Sequence, residues 1–519
     1  MFTKRSSGIL MHPTSLPSRG GIGDLGPAAY AFVDWLAAAQ QTLWQILPFG
    51  PVGYGNSPYS CTSAFAGNVL MISLERFVER GYLDPSRLSN LPDANAAVDF
   101  ESVRALKLPL LREAARNFLH GTYPLARKRY DAFCSENEWW LKDYALFSVL
   151  REHFGDHPWN SWPEEIARRT PEALLQLRSD LKDQLALECF LQFAFFEQWR
   201  ALRAYAADRG IRIIGDVAIF VSYDSADVWT HPDIFRLHED LSPEFVAGVP
   251  PDAFSETGQR WGNPLYNWDA LKARGYDWWI QRMRWAVETC DIVRLDHFRG
   301  YEACWEIPAD EPTAVNGHWT AGPNEDLFKT LRNELGKLPF IAEDLGYITP
   351  EVRALRKKLD IPGMKVMQFG FGDRGAHIYL PHMFTIDSVV YTGTHDNNTT
   401  VGWWDSDASE TEKRCALEYL GKVDDGINWA FIRAAFSSVA ILAVIPVQDV
   451  LGLPGDARMN IPSKPGGNWS WRLAHGALTP ELADKLAVLT VVTDRDASVK
   501  APATSGGSQG TGMGADFAA

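Results

Sequence analysis

The fold is decided by one stretch of nine residues, Ile292-Val293-Arg294-Leu295-Asp296-His297-Phe298-Arg299-Gly300. It begins with two β-branched residues, carries charges at alternate positions and ends in a glycine turn. Alternate residues of a β-strand point to the same face, so we expect Arg294 and Asp296 to lie side by side. A cation held beside a carboxylate inside a protein favours the ionised carboxylate, which is the form that acts as a nucleophile.

Two later segments share this design, an apolar run that ends in acidic residues. They are Phe340-Ile341-Ala342-Glu343-Asp344-Leu345-Gly346 and Val389-Val390-Tyr391-Thr392-Gly393-Thr394-His395-Asp396-Asn397. The carboxyl ends of the parallel strands of a barrel meet at one rim. We therefore expect Asp296, Glu343 and Asp396 to converge at such a rim.

Apolar runs centred near residues 9, 45, 214, 293, 341, 366, 390 and 443 alternate with helical patterns. Eight βα units predict an α/β fold, the (β/α)8 TIM barrel. We expect a single catalytic barrel domain over 1–500, with large, mostly helical insertions after strands 2 and 3, at about 51–210 and 222–291. The Pro- and Gly-rich stretch 248–264 predicts a long loop that covers the rim, and the Gly/Ser-rich tail 501–519 is predicted to be disordered.

The bulk composition excludes several classes of protein. A formal net charge of −15 argues against nucleic acid or an anionic membrane as the main partner. The six cysteines are scattered and form no C-x-x-C pair, which argues against a disulfide framework and a metal ribbon. There is no apolar run of membrane-spanning length and no signal-peptide core, so we expect a cytoplasmic protein without a membrane anchor.

The glycines of Gly21-x-Gly23-x-x-Gly26 match the spacing of a dinucleotide-binding fingerprint. That fingerprint requires its first glycine directly after a strand, whereas Pro13 and Pro17 intervene here. The next strand, 43–49, also lacks an acidic residue at its end that could hold a ribose. We therefore interpret this segment as a loop and helix start beside a cleft, and set aside a nucleotide-dependent oxidoreductase.

Paired carboxylates that flank a bond are the groups that perform glycosidic chemistry. In this interpretation Asp296 attacks, Glu343 transfers the proton, and Asp396 binds sugar hydroxyls and holds the ring distorted. Asp216, the only acid in the apolar run 211–221, must be paired or functional, because burying a lone charge is costly. Each acid alone is better explained by a structural ion pair, but three acids at successive strand ends are not.

The combination of motifs resembles the amylomaltase family of bacterial 4-α-glucanotransferases, glycoside hydrolase family 77 of the α-amylase clan. The resemblance extends over about residues 8–495. The segments that carry it are His12-Pro13-Thr14-Ser15-Leu16-Pro17, Gly55-Asn56-Ser57-Pro58-Tyr59, Gly215-Asp216, the run 250–266, Arg294-Leu295-Asp296-His297-Phe298-Arg299-Gly300, Ala342-Glu343-Asp344-Leu345-Gly346 and Thr394-His395-Asp396-Asn397.

This resemblance implies a retaining transfer of α-1,4-glucan segments from a donor glucan to glucose or a maltooligosaccharide, without metal or organic cofactor. It gives Asp296 the place of the nucleophile, Glu343 that of the acid/base and Asp396 that of the transition-state stabiliser. The positions that match substrate contacts, or that we expect to bind sugar beside them, are Arg294, His395, Asp216, Tyr59, Ser57, Asp252, Trp261 and Asn397.

Two other functions fit the same barrel. An α-glucan hydrolase would share all three acids, and only its products would differ. A non-catalytic glucan-binding barrel would lack the nucleophile or the acid, and both are present in this sequence.

Overall fold

The computed structural model describes residues 2–89, 91–92, 97–252, 255–462, 464 and 466–497. Eight parallel strands close into one barrel, and all eight predicted strands are confirmed. The barrel strands are β1 (Ser6–Leu10), β2 (Leu43–Gln45), β3 (Arg212–Val217), β6 (Ile292–Leu295), β9 (Phe340–Ala342), β10 (Gly363–Val366), β11 (Ser388–Tyr391) and β12 (Leu442–Pro446). Their spatial order around the barrel is β1-β12-β11-β10-β9-β6-β3-β2.

Helices cover the outside of the barrel, and those between β2 and β3 form the large insertion that the sequence predicts. None of the helices in the described part of the chain combines the length and apolarity that crossing a bilayer requires. The predicted tail 501–519 lies outside the described residues. The helices are α1 (Pro27–Ala38), α2 (Leu74–Glu79), α3 (Phe100–His120), α4 (Pro124–Glu136), α5 (Glu138–His153), α6 (Glu164–Ala167), α7 (Pro171–Asp180), α8 (Lys182–Ala207), α9 (Ala226–Thr230), α10 (Trp268–Ala273), α11 (Asp277–Thr289), α12 (Asn324–Leu335), α13 (Pro350–Lys358), α14 (Thr400–Gly402), α15 (Glu410–Leu420), α16 (Ile427–Ser437), α17 (Val447–Leu451) and α18 (Pro480–Val492).

Strand residues alternate between the inside of the barrel and the helical shell. On β6, Ile292 belongs to the apolar cluster inside the barrel, whereas Val293 and Leu295 pack with the residues of the outer shell. This alternation turns Arg294 inward, one layer above Ile292. The inner layer is filled by one residue or two from each strand, namely Leu10, Leu43, Ile214, Ile292, Ile341, Met364, Val366, Val389, Tyr391, Leu442 and Val444.

The prediction of one long loop over 248–264 is wrong at both ends. The segment begins inside strand β4 (Phe245–Val249) and ends with strand β5 (Gln259–Pro264). With β7 (Ala303–Pro308) and β8 (His318–Ala321) they form an antiparallel sheet in the order β5-β4-β7-β8. The glycine content predicted a loop, but Gly248 lies within a strand, where it permits a close approach of the neighbouring strand. A Cβ at this position would lie 2.2 Å from the Gln259 carbonyl oxygen.

The Gly21–Gly26 segment is a loop that packs against its own chain, as the sequence indicates. The Gly23 N–H donates to the Thr14 carbonyl at 2.8 Å. A Cβ on Gly23 would lie 1.9 Å from the Pro13 carbonyl oxygen, so only glycine fits this approach. Gly26 is the residue that precedes α1. The glycine spacing thus reflects backbone packing.

A buried arginine joins the first and last strands at the amino-terminal end of the barrel. Arg495 is fully buried and donates to the carbonyls of Ser6 and Ile441, where β1 and β12 begin, at 3.1 and 3.4 Å. It also donates to the carbonyls of Phe436, Ser438 and Ala440 at 2.8 to 3.1 Å. Burial, with Arg5 nearby, lowers the pKa of Arg495 to about 9, so it remains charged at neutral pH.

We expect Arg495→Ala to lower the free energy of unfolding by about 3–5 kcal/mol, because buried carbonyls lose a charged donor. Urea unfolding at pH 7 measures this loss. Turnover per folded molecule is expected to stay unchanged, because Arg495 lies at the end of the barrel opposite the acidic strand ends. A matched control is Arg433→Ala on α16, an exposed arginine expected to cost less than about 0.5 kcal/mol. Equal stabilities for the two variants would contradict the role of Arg495.

Candidate active site

Arg294 joins two carboxylates inside the mouth of the barrel. Its Nη1 lies 2.8 Å from both carboxylate oxygens of Asp216 on β3 and 2.9 Å from Oδ1 of Asp296. The register pairs Asp216 with Arg294 across neighbouring strands, which brings the first contact about. The alternation along β6 brings about the second, as the sequence predicts. Arg294 and Asp216 are buried, so the interactions between these charges are only weakly screened.

Glu343 follows β9 and reaches the turn after Asp296. The His297 N–H donates to its Oε2 at 2.8 Å, and the Leu345 N–H donates to its Oε1 at 2.9 Å. Burial raises the pKa of Glu343 to about 8, helped by Asp296 and opposed by Arg294 and the two N–H donors. The carboxyl group of Glu343 therefore keeps its proton at neutral pH.

Asp396 follows β11 and has the opposite electrostatic environment. His395 Nε2 lies 3.3 Å from its Oδ2, and Asn460 Nδ2 donates to its Oδ1 at 2.6 Å. Burial by itself raises the pKa of Asp396, but His395, Asn460 and Arg294 outweigh it and hold the pKa well below its usual range. Asp396 is therefore an anion throughout the physiological pH range, whereas Glu343 is not.

Tyr59 connects these groups from the loop after β2. Its hydroxyl donates to Asp216 Oδ2 at 2.8 Å, and its ring stacks on His395 with centroids 5.1 Å apart. Trp469 packs against both rings, at 5.9 Å from each. Ser57 orients this tyrosine, since its Oγ accepts the Tyr59 N–H at 3.2 Å. The result is an aromatic corner beside Asp396, which suits the apolar face of a sugar ring.

The remaining predicted contacts lie in different settings. Trp261 on β5 is 38% exposed, and its ring meets the edge of His297 at 4.8 Å, next to Asp296. Asp252 is exposed in the turn after β4, where its Oδ1 accepts the Ser255 N–H at 2.9 Å. Asn397 uses its Oδ1 to accept from the Thr394 N–H and hydroxyl, both at 2.9 Å. Trp261 thus lies beside the carboxylates, whereas Asp252 and Asn397 shape their own turns.

Sequence reasoning missed Asn460 and Arg458, which orient Asp396 from the loop after β12. Arg458 donates to the backbone carbonyls of Asp396 and Asn460, at 2.6 Å in each case. Asp449 fixes the segment that carries Asp396 at both ends, by accepting from the Thr392 hydroxyl and the Thr400 N–H. The Gly-, Pro-, Asn- and Trp-containing composition of 453–471 indicates a loop, but no local pattern shows which polar residue turns inward.

His297 is a further residue whose contribution only the structure reveals. Its φ of +47° is left-handed, a conformation that L-residues adopt at a cost of about 1–3 kcal/mol. This turn directs the His297 N–H to Glu343. Burial lowers the pKa of the imidazole to about 4, with Arg299 acting in the same direction. A neutral imidazole therefore lies beside Asp296, where it can accept or donate a hydrogen bond.

Taken together, one rim of the barrel holds a carboxylate paired with a cation, a neighbouring carboxylic acid that keeps its proton, and a third carboxylate held as an anion. Such a set can attack a carbon centre, protonate the leaving oxygen and stabilise a positive charge between them. The three predicted acids do converge, since Arg294 contacts Asp296, His297 contacts Glu343, and Tyr59 and His395 join Asp216 to Asp396.

Comparisons with known proteins identify the family of the chain. The model of the family described as 4-alpha-glucanotransferase matches residues 11–479. The 4-alpha-glucanotransferase of Thermus thermophilus is 48% identical over 95% of this chain and 99% of its own length. That of Synechocystis is 47% identical over 95% and 99%. The amylomaltase of Streptococcus agalactiae, solved with acarbose, superposes with a TM-score of 0.92 at 40% identity, over 95% of this chain and 100% of that one. The chain belongs to the 4-alpha-glucanotransferase family.

Proposed function

We propose that the protein transfers segments of α-1,4-glucans to the 4-hydroxyl of glucose or a maltooligosaccharide, by a retaining double displacement. The observation that carries this proposal is the environment of Glu343. Its side chain is protonated at neutral pH and accepts a hydrogen bond from the N–H of His297, the residue directly after Asp296. Retaining enzymes need two carboxyl groups close together, whereas inverting enzymes leave room for a water molecule between them. The family name and the acarbose complex of the Streptococcus agalactiae relative supply the substrate class.

In the first step, Asp296 attacks the anomeric carbon while Glu343 gives its proton to the leaving glycosidic oxygen. The C–O bond to the leaving sugar breaks, and an ester bond to Asp296 forms. Positive charge that develops on the sugar ring is stabilised by the Asp396 anion, which His395 and Asn460 hold in place. Arg294 fixes the attacking carboxylate against Asp216.

In the second step, Glu343 is the base. It takes the proton from the 4-hydroxyl of the incoming sugar, whose oxygen attacks the anomeric carbon and releases Asp296. Both displacements invert the carbon, so the product keeps the α configuration. The partly exposed Tyr59 ring, which packs on the buried His395 and Trp469 side chains, is the apolar surface that the sugar contacts during both steps.

Maltotriose tests the proposal directly. We expect free glucose to appear together with maltopentaose and longer chains, because a glucanyl-enzyme that meets a sugar hydroxyl lengthens the acceptor. Thin-layer or anion-exchange chromatography of a time course resolves these products. A hydrolase acting on the same bonds gives only glucose and maltose, and that result would overturn transfer while leaving the three carboxylates in their roles.

We also propose that the protein works in the cytoplasm. The six cysteines are present as free thiols, which suits a reducing cytoplasm. With a net charge of −15 the surface does not favour nucleic acid, and neutral glucans and their acceptors are the partners we propose.

A further inference from the structure

An exposed tyrosine lies on the rim of the barrel, in the loop that carries Glu343. Tyr347 is 69% exposed and lies four residues after Glu343. Four residues span at most about 14 Å, which limits the distance of this ring from the acid. Single exposed aromatic residues are ordinary on protein surfaces. What distinguishes Tyr347 is the way in which its ring is supported.

Two side chains lie against the Tyr347 ring. The Trp319 ring on β8 lies nearly parallel to it, with centroids 6.3 Å apart and planes 20° apart. The Arg299 guanidinium lies 3.5 Å over the Trp319 ring and 5.4 Å from the Tyr347 centroid. Arg299 Nη1 also donates to the Tyr347 backbone carbonyl at 2.8 Å. We call Tyr347, Trp319 and Arg299 the tyrosine shelf.

The two side chains that contact the Tyr347 ring are themselves packed against the protein. Arg299 is itself 5% exposed, and its Nε has no hydrogen-bond partner among the described residues. Trp319 is in turn packed against Trp305, with ring centroids 5.2 Å apart. A flat apolar face held in place loses little entropy when a ligand packs on it, which is the advantage of preorganisation.

The shelf is also connected to both reacting carboxyl groups. Arg299 lies three residues after Asp296, in the turn whose His297 N–H holds Glu343. Tyr347 continues the loop whose Leu345 N–H holds the other Glu343 oxygen. A group that protonates the leaving oxygen lies on the side of the leaving sugar, which is also the side of the incoming acceptor. This connection to Glu343 is the reason for assigning the shelf to the acceptor side.

We propose that the tyrosine shelf binds a glucose residue of the acceptor or leaving chain, at a distance from the bond that reacts. The apolar face of the pyranose packs on the Tyr347 ring, while its hydroxyl groups remain in water. This inference rests on the proposed function, and it makes the shelf a determinant of acceptor length rather than of the chemical step.

The test is a series of acceptors of increasing length with one donor. Maltotriose is the donor, and the acceptors are glucose, maltose and maltotetraose. Maltose and maltotetraose carry a fluorescent label at the reducing end, and glucose is labelled with isotopic carbon. We expect Tyr347→Ala to reduce kcat/KM for labelled maltotetraose about threefold to tenfold more than for glucose. Tyr347→Phe keeps the ring and is expected to retain the length preference of the parent protein.

A matched control is Tyr419→Ala, which removes a tyrosine on α15 that is 38% exposed. It is expected to leave the length preference as it is. An equal loss for all acceptors with Tyr347→Ala would overturn the proposal, because it would indicate a distorted Glu343 loop. An unchanged preference would overturn it as well.

A binding measurement separates this inference from the proposed function. Maltoheptaose is titrated calorimetrically into the parent protein and into Tyr347→Ala, each carrying Asp296→Asn to prevent turnover. The titration measures the contribution of the shelf to the dissociation constant in the absence of any reaction. We expect the dissociation constant to rise about threefold to tenfold. If the parent gave no maltotriose products, the proposed function would fail, whereas equal dissociation constants would refute the shelf alone.

Discussion

Replacing Asp296 with asparagine is expected to lower the transfer rate by about 10⁴- to 10⁶-fold, the effect seen when a covalent nucleophile is removed. The amide is nearly the same size, so the change removes the attacking oxygen anion without removing much packing. Arg294 keeps its two contacts to Asp216, which leaves the buried cation paired. The loss is therefore expected in kcat, with KM for maltotriose within about threefold of that of the parent protein.

Mass spectrometry of a trapped intermediate identifies the nucleophile independently of the rate. An α-maltosyl fluoride has a leaving group that needs no acid, so Glu343→Gln should accumulate a maltosyl ester on the peptide that contains Asp296. Adding Asp296→Asn to that variant should abolish the adduct. Asp269→Asn, an exposed carboxylate on α10, serves as the matched control for rate. An adduct on another residue, or turnover of Asp296→Asn within tenfold of the parent, would refute the assignment.

Replacing Glu343 with glutamine is expected to lower the rate with maltotriose by about 10²- to 10⁴-fold, the usual contribution of a general acid. Glutamine has no proton to give to the glycosidic oxygen. The parent protein should lose kcat/KM as the pH rises through about 8, where Glu343 loses its proton. This alkaline limb should be absent from the residual activity of the variant. Glu334→Gln, an exposed position on α12, is the control, and it should keep the full profile.

The same glutamate is expected to make stability depend on pH. Its pKa is about 8 in the folded protein and 4.5 in the reference state. Between these values the folded protein holds a proton that the unfolded chain has lost, so the contribution to stability is present below pH 4.5 and is lost as the pH rises through 8. Urea unfolding from pH 5 to 8.5 should show a flatter pH dependence for Glu343→Gln than for the parent. Parallel curves would show that Glu343 titrates alike in both states.

Much of the fold could be predicted because the signals are local. The barrel strands are short and mostly apolar runs, and two of them end directly before an acidic residue, Ile292–Leu295 before Asp296 and Phe340–Ala342 before Glu343. Alternation along one strand requires only a few residues, so it placed Arg294 beside Asp296. The convergence of Glu343 and Asp396 followed from the rule that parallel strands present their carboxyl ends at one rim.

The sequence analysis was wrong about 248–264 because the contacts that make this segment part of a sheet are not local in sequence. Strand β4 pairs on one side with β5 and on the other with β7, which begins more than fifty residues after β4 ends. Glycine and proline content is a local signal, and it cannot reveal a partner strand so distant. The polar residues of 453–471 illustrate the same limit, because Asn460 reaches Asp396 only through the packing of the last loop against the barrel.

By itself, the sequence determined which residues could react: three acids after apolar strands, a cation two positions before the first, and an aromatic residue in an early loop. Only the tertiary structure decided which of the acids is protonated and which is ionised. Glu343 keeps its proton because of its burial beside Asp296, whereas Asp396 is an anion because His395 and Asn460 face it. The charge state of a carboxyl group depends on solvent exclusion and on neighbours within a few ångströms, and for these residues most of the neighbours are distant in sequence.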